Sequence, residues 1–271
     1  MQRMMRSMQV LININNLNEI EDYKKIGITN FLFPMKEFSI GYNSFELKDI
    51  PTDSYIFMNR VLDSKDIDKL KELKDEIIKY KGIIFEDIGV FNIFKDTGIE
   101  LIWNQSHFVT NYSSINCWFK LGATSCVVAN DITKEEIKEI IEKVDKPVIF
   151  NILGKNQVMY SRRTLLSNFN TYAGVDDIKN ANIYETHTDV NFNLKESEYG
   201  TVTFSNEYFN YIEFAKELDQ DKILYELVLN QDLSVDEIKE ILDGKPFGND
   251  GFLNKKTVYK MEDYGKKVGA W

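Results

Sequence analysis

The chain contains 28 lysines but only five arginines, at positions 3, 6, 60, 162 and 163. A guanidinium is a planar fork suited to phosphate or carboxylate. Arg60, Arg162 and Arg163 therefore read either as an anion pocket or as clamps on rim carboxylates such as Glu86, Asp87 and Asp131. Asp87 and Asp131 offer two carboxylates for activating a water or holding a divalent cation. Ser161 offers a hydroxyl nucleophile, although no Gly-x-Ser-x-Gly turn surrounds any serine. These three are the candidate catalytic residues. Glu86 and Asp87 are neighbours, so at an extended strand end they point to opposite sides and form no ready-made pair. Asp87 also suits the cap of the Ile88-Gly89-Val90 turn.

Substrate contacts are expected from Arg60, Glu86, Asn104, Asn151, Tyr160, Arg162 and Arg163. His107 offers a base or a structural imidazole, and His187 reads as a surface strand residue. Cys117 and Cys126 are the only cysteines, and neither belongs to a Cys-x-x-Cys pair. Both read as core side chains. A cysteine zinc site or an iron–sulfur cluster cannot be built from this chain alone. No metal site and no cofactor is expected beyond the divalent cation just named.

Short apolar runs at residues 10–14, 30–34, 54–59, 82–85, 100–103, 125–129 and 147–152 must position these groups. Amphipathic stretches separate them. Residues 64–80 place Ile67, Leu70, Leu73, Ile77 and Ile78 at helical spacing, and Thr133 with Glu136 forms a capping box. Continuous apolar strands alternating with helices indicate a parallel sheet buried on both faces. No Gly-rich dinucleotide turn follows the first strand, which favours a TIM-like (β/α) barrel over a doubly wound sheet. In such a barrel the functional groups lie past the C-terminal ends of the strands, where the candidates fall. The rhythm changes after Gly154. Residues 159–170 read as a loop and short helix, and 181–204 as a two-stranded hairpin turning at 195–198. Residues 206–218 and 234–242 read as helices. The expected organisation is a basic extension over 1–7, a barrel over 8–170, and a hairpin with helices over 171–271 packed on the barrel.

With 43% hydrophobic and 13% aromatic residues, the 271-residue chain is expected to fold. A net charge of −10 excludes a broad basic face for duplex DNA. No apolar run is long enough to span a membrane. Sparse cysteine and the lack of an apolar stretch after residues 1–7 point to the cytoplasm.

Residues 151–154 read Asn-Ile-Leu-Gly and residues 160–169 read Tyr-Ser-Arg-Arg-Thr-Leu-Leu-Ser-Asn-Phe. They resemble the signature of the collagenase-like peptidase U32 family, His-Gly-x-x-Cys-x-x-Tyr-Ser-Gly-x-Cys-x-x-Ser-Asn-Tyr. Gly154, Tyr160, Ser161, Ser167 and Asn168 match in register. Phe85 to Val90, Val109-Thr110-Asn111, Leu121-Gly122-Ala123, Asp131 to Ile137 and Glu198-Tyr199-Gly200-Thr201 resemble further family segments in the same order. The resemblance covers most of residues 9–205. It implies a barrel whose mouth hydrolyses a peptide or other polymeric substrate.

The departures are chemical. Leu153 stands at the signature histidine, Gln157 and Thr164 at the two cysteines, and Arg162 at a glycine. Family members in tRNA or quinone hydroxylation hold an iron–sulfur cluster with cysteines. The resemblance therefore also implies a cluster-free RNA-modification or substrate-binding partner barrel, working with a cysteine-bearing relative. Arg60, Arg162, Arg163, Tyr160 and the tail lysines 255, 256, 260, 266 and 267 would then contact phosphate. A third implication is a non-catalytic subunit. The hydrolase requires Asp87, Asp131 and Ser161 to share a cleft. The partner barrel requires the three arginines to converge, and the inert subunit requires Leu153 and Phe169 to plug the mouth.

Overall fold

Seven of the eight short parallel strands of the barrel are those apolar runs. In a computed structural model, which describes residues 9–105, 108–186 and 190–255, they are β1 (Val10–Asn13), β2 (Asn30–Pro34), β3 (Tyr55–Met58), β4 (Gly82–Phe85), β5 (Glu100–Trp103), β6 (Ser125–Val128) and β7 (Val148–Ser161). The 1–7 extension, His107, His187, Lys256, Lys260, Lys266 and Lys267 lie outside the described residues. Three antiparallel strands follow, β8 (Asn180–Glu185), β9 (Val190–Ser197) and β10 (Gly200–Asn210), and then β11 (Ile223–Leu229). The sheet order is β11-β1-β2-β3-β4-β5-β6-β7-β10-β9-β8, and β11 also pairs with β7. That last pairing is parallel, as is β11 with β1, so β1–β7 and β11 close an eight-stranded TIM-like barrel.

Period-two alternation sorts the side chains. Leu11, Leu32, Phe57, Ile84, Ile102, Val127, Ile149 and Leu227 fill the barrel. Ile12, Phe33, Ile56, Ile83, Phe85, Leu101, Cys126, Phe150 and Val228 face the helix layer. That layer comprises α1 (Ile20–Lys25), α2 (Ser64–Glu72), α3 (Lys74–Ile77), α4 (Ile88–Phe94), α5 (Tyr112–Leu121), α6 (Lys134–Lys143), α7 (Leu165–Ala173), α8 (Ile212–Ala215) and α9 (Val235–Leu242). Thr133 and Ser234 complete their capping boxes with Glu136 and Glu237. Among the described residues, no helix is long and apolar enough to cross a membrane.

Four expectations are corrected. The barrel does not end at residue 170, because its closing strand β11 comes from the segment assigned to the C-terminal hairpin and helices. The stretch 64–80 is two helices, α2 and α3, meeting at Leu73. The hairpin has three strands, since β10 turns back from β9 and β8 pairs on the other side of β9. Residues 207–210 extend β10, where Tyr208 and Phe209 pair with Lys155 and Gly154, and only Ile212–Ala215 is helical.

β7 ties the two parts together. Its first half lies between β6 and β11. Its second half, of which residues 159–161 were expected to begin a loop, overhangs the barrel and pairs antiparallel with β10. The contact is close at Gly200, whose φ is +129°, and a Cβ there would lie 2.1 Å from the Ser161 carbonyl oxygen.

Candidate functional site

The C-terminal ends of the strands surround a recess of about 50 Å³. Phe57, Val127, Val128 and Leu229 contribute its apolar lining. Its polar lining is Tyr42, Asn59, Glu86, Asn104, Asn130, Asn151, Lys155 and Gln157. The volume is enough for a few water molecules or one small polar group. Tyr42 packs between Phe57 inside the barrel and Phe204 of β10, with ring centroids 5.8 and 5.7 Å away. The overhanging sheet thus roofs part of the mouth.

Glu86 is the acid of this recess. Its Oε1 accepts a hydrogen bond from Asn104 Nδ2 at 2.9 Å. Burial pushes its carboxyl up to about 8, so at neutral pH it is largely protonated and can donate. The Tyr42 phenol is raised by burial and then by the Glu86 charge. Asn151 is buried, and its Oδ1 has no hydrogen-bond partner. Lys155 pairs with Asp232 at 3.0 Å and lies 4.9 Å over the Tyr208 ring. Burial, then the Lys155 charge, lowers the nearby Lys195 ammonium. Asn59 is committed to the loop above it, exchanging hydrogen bonds with the Ile40 backbone at 2.9 and 3.0 Å. Asn130 donates to Asn156 Oδ1 at 2.9 Å.

The three candidate catalytic residues do not line this recess. Asp87 accepts from Gly89 N at 2.7 Å as the cap of α4 and from Leu62 N at 2.9 Å. Asp131 follows β6 and is half-buried. Ser161 ends the overhang of β7, where its Oγ accepts from Arg163 N at 3.2 Å. Of the residues expected to bind substrate, Glu86, Asn104 and Asn151 are in the recess.

Arg60, Arg162 and Tyr160 are not in the recess. Arg60 is buried, pairs with Asp66 at 2.9 Å and lies 4.0 Å over the Tyr199 ring. Arg162 pairs with Asp63 at 3.0 Å. Asp63 is the N-cap of α2 and Asp66 completes its capping box. Both arginines therefore grip the start of α2, and their partners are not Glu86, Asp87 or Asp131. Tyr160 donates to the Tyr199 carbonyl at 3.2 Å. Arg163 is exposed on the turn after β7. The mouth plug is also absent, because Leu153 is buried with the helix-layer core and Phe169 is exposed.

The sequence reading missed Tyr42, Lys155 and Gln157. The available signal was at Gln157, which stands at a signature cysteine. It also missed Glu196. That carboxylate accepts from Leu166 N at 2.6 Å, Ser167 N at 3.1 Å and Thr201 Oγ1 at 3.0 Å, capping α7 from a neighbouring strand. Burial alone would raise it, but hydrogen bonds from Ser167, Lys179 and Thr201 hold it down to about 2.

The donor set does not fit an iron–sulfur cluster. Cys126 is buried with its thiol pushed up to about 12 by burial, and Cys117 is exposed on α5. Among the described residues, no three His, Cys, Asp or Glu side chains gather as metal ligands.

A closed parallel barrel with a polar recess at the C-terminal strand ends defines the class, a TIM-like α/β barrel. The pattern of peptidase family U32 matches residues 46–225, and the chain belongs to that family. The tRNA hydroxylation protein P2 of Bacillus subtilis (strain 168) is 25% identical over 161 residues, covering 54% of this chain and 51% of that protein. The chain thus matches about half the length of that curated relative. The solved structure of the U32 peptidase Mk0906 is similar with a TM-score of 0.50 and 12% identity, over 86% of this chain and 96% of that one. That likeness concerns the fold.

Proposed function

We propose that this chain is a substrate-binding barrel in RNA modification, acting beside a cysteine-bearing relative, and not a peptidase. The observation that carries this reading is the chemistry of the mouth. Amides from Asn104, Asn151 and Gln157 surround a carboxyl held neutral by burial. Such groups pair with the donors and acceptors of a neutral heterocycle or amide edge. Acyl transfer needs a nucleophile set against a base. Asp87 caps a helix instead, and Ser161 lies at the far end of the overhang. The name of the B. subtilis relative, a tRNA hydroxylation protein, points to the same class of substrate. The role of this chain is to bind and orient the RNA. Its two separated cysteines leave cluster chemistry to the partner.

The test compares tRNA from cells with and without this chain by nucleoside mass spectrometry, and incubates the purified protein with peptides. The expected result is a hydroxylated nucleoside that disappears without the chain and returns with it, and no peptide cleavage. Unchanged tRNA, with peptide cleavage abolished by Asp87→Ala, would restore the hydrolase reading.

A further inference from the structure

The rim of the recess carries two ammonium groups against one carboxylate. Lys155 lines the recess, with its side chain 9% exposed. Lys195 lies on β9 opposite Val202 of β10. Val202 and Phe204 pack with Ile40 on the barrel side of the overhang, and strand parity turns Lys195 to that same face. Its Nζ is 6.0 Å from the centroid of the Phe204 ring, and that ring packs on Tyr42 of the recess. Asp232 pairs with Lys155 through Oδ2 at 3.0 Å and accepts from the Tyr208 hydroxyl through Oδ1 at 2.5 Å. Burial would raise the Asp232 carboxyl, but the Tyr208 hydroxyl and the Lys155 and Lys195 charges hold it low. Among the described residues, the half-buried Lys195 ammonium forms no hydrogen bond and no ion pair of its own. Burial and the Lys155 charge lower it. Such a group is costly until an anion joins both ammonium groups.

We infer that Lys155 and Lys195 form an oxyanion site at the rim of the mouth, which takes a phosphate of the bound RNA. The inference rests on the RNA-modification reading. Lysine holds a phosphate as a point charge through its three N–H donors. Lys155 gives one of them to Asp232, which leaves others for a ligand. The Asp232 side chain is 58% exposed, so the cluster opens to solvent. Glu86 of the recess is held largely neutral and does not repel an anion. An uncharged ligand would leave Lys195 unpaired, and a cation would meet both ammonium groups. Arg60 and Arg162, the other cations expected to contact phosphate, are engaged with Asp66 and Asp63. A nucleotide matches the mouth in two parts, a neutral base edge for the amides and a charged phosphate for the lysines. The phosphate contact positions the strand, and the amides read it. A small carboxylate shares the charge of a phosphate, so the test separates them.

The experiment uses the full chain. In the first arm, lysines are sparingly acetylated near pH 7 and followed one by one by peptide mass spectrometry. Inorganic phosphate is expected to slow Lys195 acetylation several-fold relative to chloride of equal ionic strength, and to leave the exposed Lys48 unchanged. Acetate is expected to protect less. The second arm measures binding of an RNA trinucleotide and of the same sequence with uncharged methylphosphonate linkages. Lys195→Gln keeps most of the stem and removes the charge. It is expected to weaken the charged trinucleotide about 10-fold and to reduce its salt slope by about 0.7, the share of one phosphate contact. The uncharged analogue is expected to bind wild type and variant alike, and Lys195→Arg to restore the loss. The inference is overturned if phosphate does not protect Lys195, if acetate protects it better, or if Lys195→Gln binds the charged trinucleotide as wild type does. If tRNA hydroxylation still depends on the chain in any of these cases, only the lysine assignment falls. If phosphate protects Lys195 while tRNA hydroxylation is indifferent to the chain, the oxyanion site stands and the modification reading falls.

Discussion

Glu86→Gln isolates the acid at the centre of the mouth. Burial raises the carboxyl from 4.5 to about 8 in the folded protein. The unfolded chain releases this proton near 4.5, and the folded chain keeps it until about 8. Between those values the folded state binds the extra proton, so stability is greatest below the window and falls as pH rises through it. At about 1.4 kcal/mol per pH unit, the whole window is worth about 5 kcal/mol, an upper figure because water entering the recess relieves part of it. Glutamine stays neutral and still presents an oxygen to Asn104 Nδ2, so the variant lacks this slope. The unfolding free energy of Glu86→Gln, relative to wild type, is expected to increase by up to about 4 kcal/mol between pH 5 and pH 8.5. Urea unfolding followed by tryptophan emission at both pH values measures it. Glu226, buried under the helix layer and raised by burial to about 7, contributes equally to both proteins and cancels. A difference between wild type and variant that does not change with pH would refute the buried-acid argument.

Three further substitutions probe the frame of the site. Gly200→Ala sets a Cβ 2.1 Å from the Ser161 carbonyl at a positive φ and is expected to cost at least about 2 kcal/mol in urea unfolding. Glu196→Ala removes the acceptor that caps α7 and is expected to cost about 3 kcal/mol at pH 7. Because the folded pKa of Glu196 is about 2, the wild-type advantage is lost as pH falls from 4.5 toward 2, which thermal unfolding at pH 7 and pH 3 would register. Arg162→Ala breaks a half-exposed ion pair with Asp63 and is expected to change stability by less than about 1 kcal/mol, read by the same unfolding assay.

The first seven strands were legible because each is an apolar run bounded by a turn or a cap. β11 was not. Its Ile-Leu-Tyr-Glu-Leu-Val-Leu run carries Glu226 on the face buried against the helices, and a buried carboxylate interrupts the pattern that marks a two-sided strand. The overhang of β7 was hidden for the opposite reason. Met159, Tyr160 and Ser161 read as loop, yet they form strand because Thr203, Val202 and Thr201 of β10 pair with them. That pairing also overrides the helical reading of residues 207–210. Tertiary hydrogen bonding decides these segments, and local sequence does not encode it.

At the site, strand parity was the most informative rule. Glu86 and Asp87 part at the end of β4, one into the mouth and the other onto the N-terminus of α4, as alternation requires. Of the two readings of the arginines, Arg60 and Arg162 follow the ion-pair one, with carboxylates other than those expected. These two hold the start of α2, and only the fold brings Asp63 and Asp66 to them. The same distinction runs through the family signature. Residues of it that this chain shares serve the frame: Tyr160 donates to the Tyr199 carbonyl, and Ser167 donates its backbone N–H to Glu196. Gly154 packs against β11, where a Cβ would meet Leu229 at 3.3 Å. Gln157, where the signature has a cysteine, lines the mouth. Where the signature has a thiol this chain has an amide, which donates and accepts hydrogen bonds. The fold and the departure from the signature thus agree with the proposed reading, in which the mouth of a U32 barrel binds its ligand through hydrogen bonds.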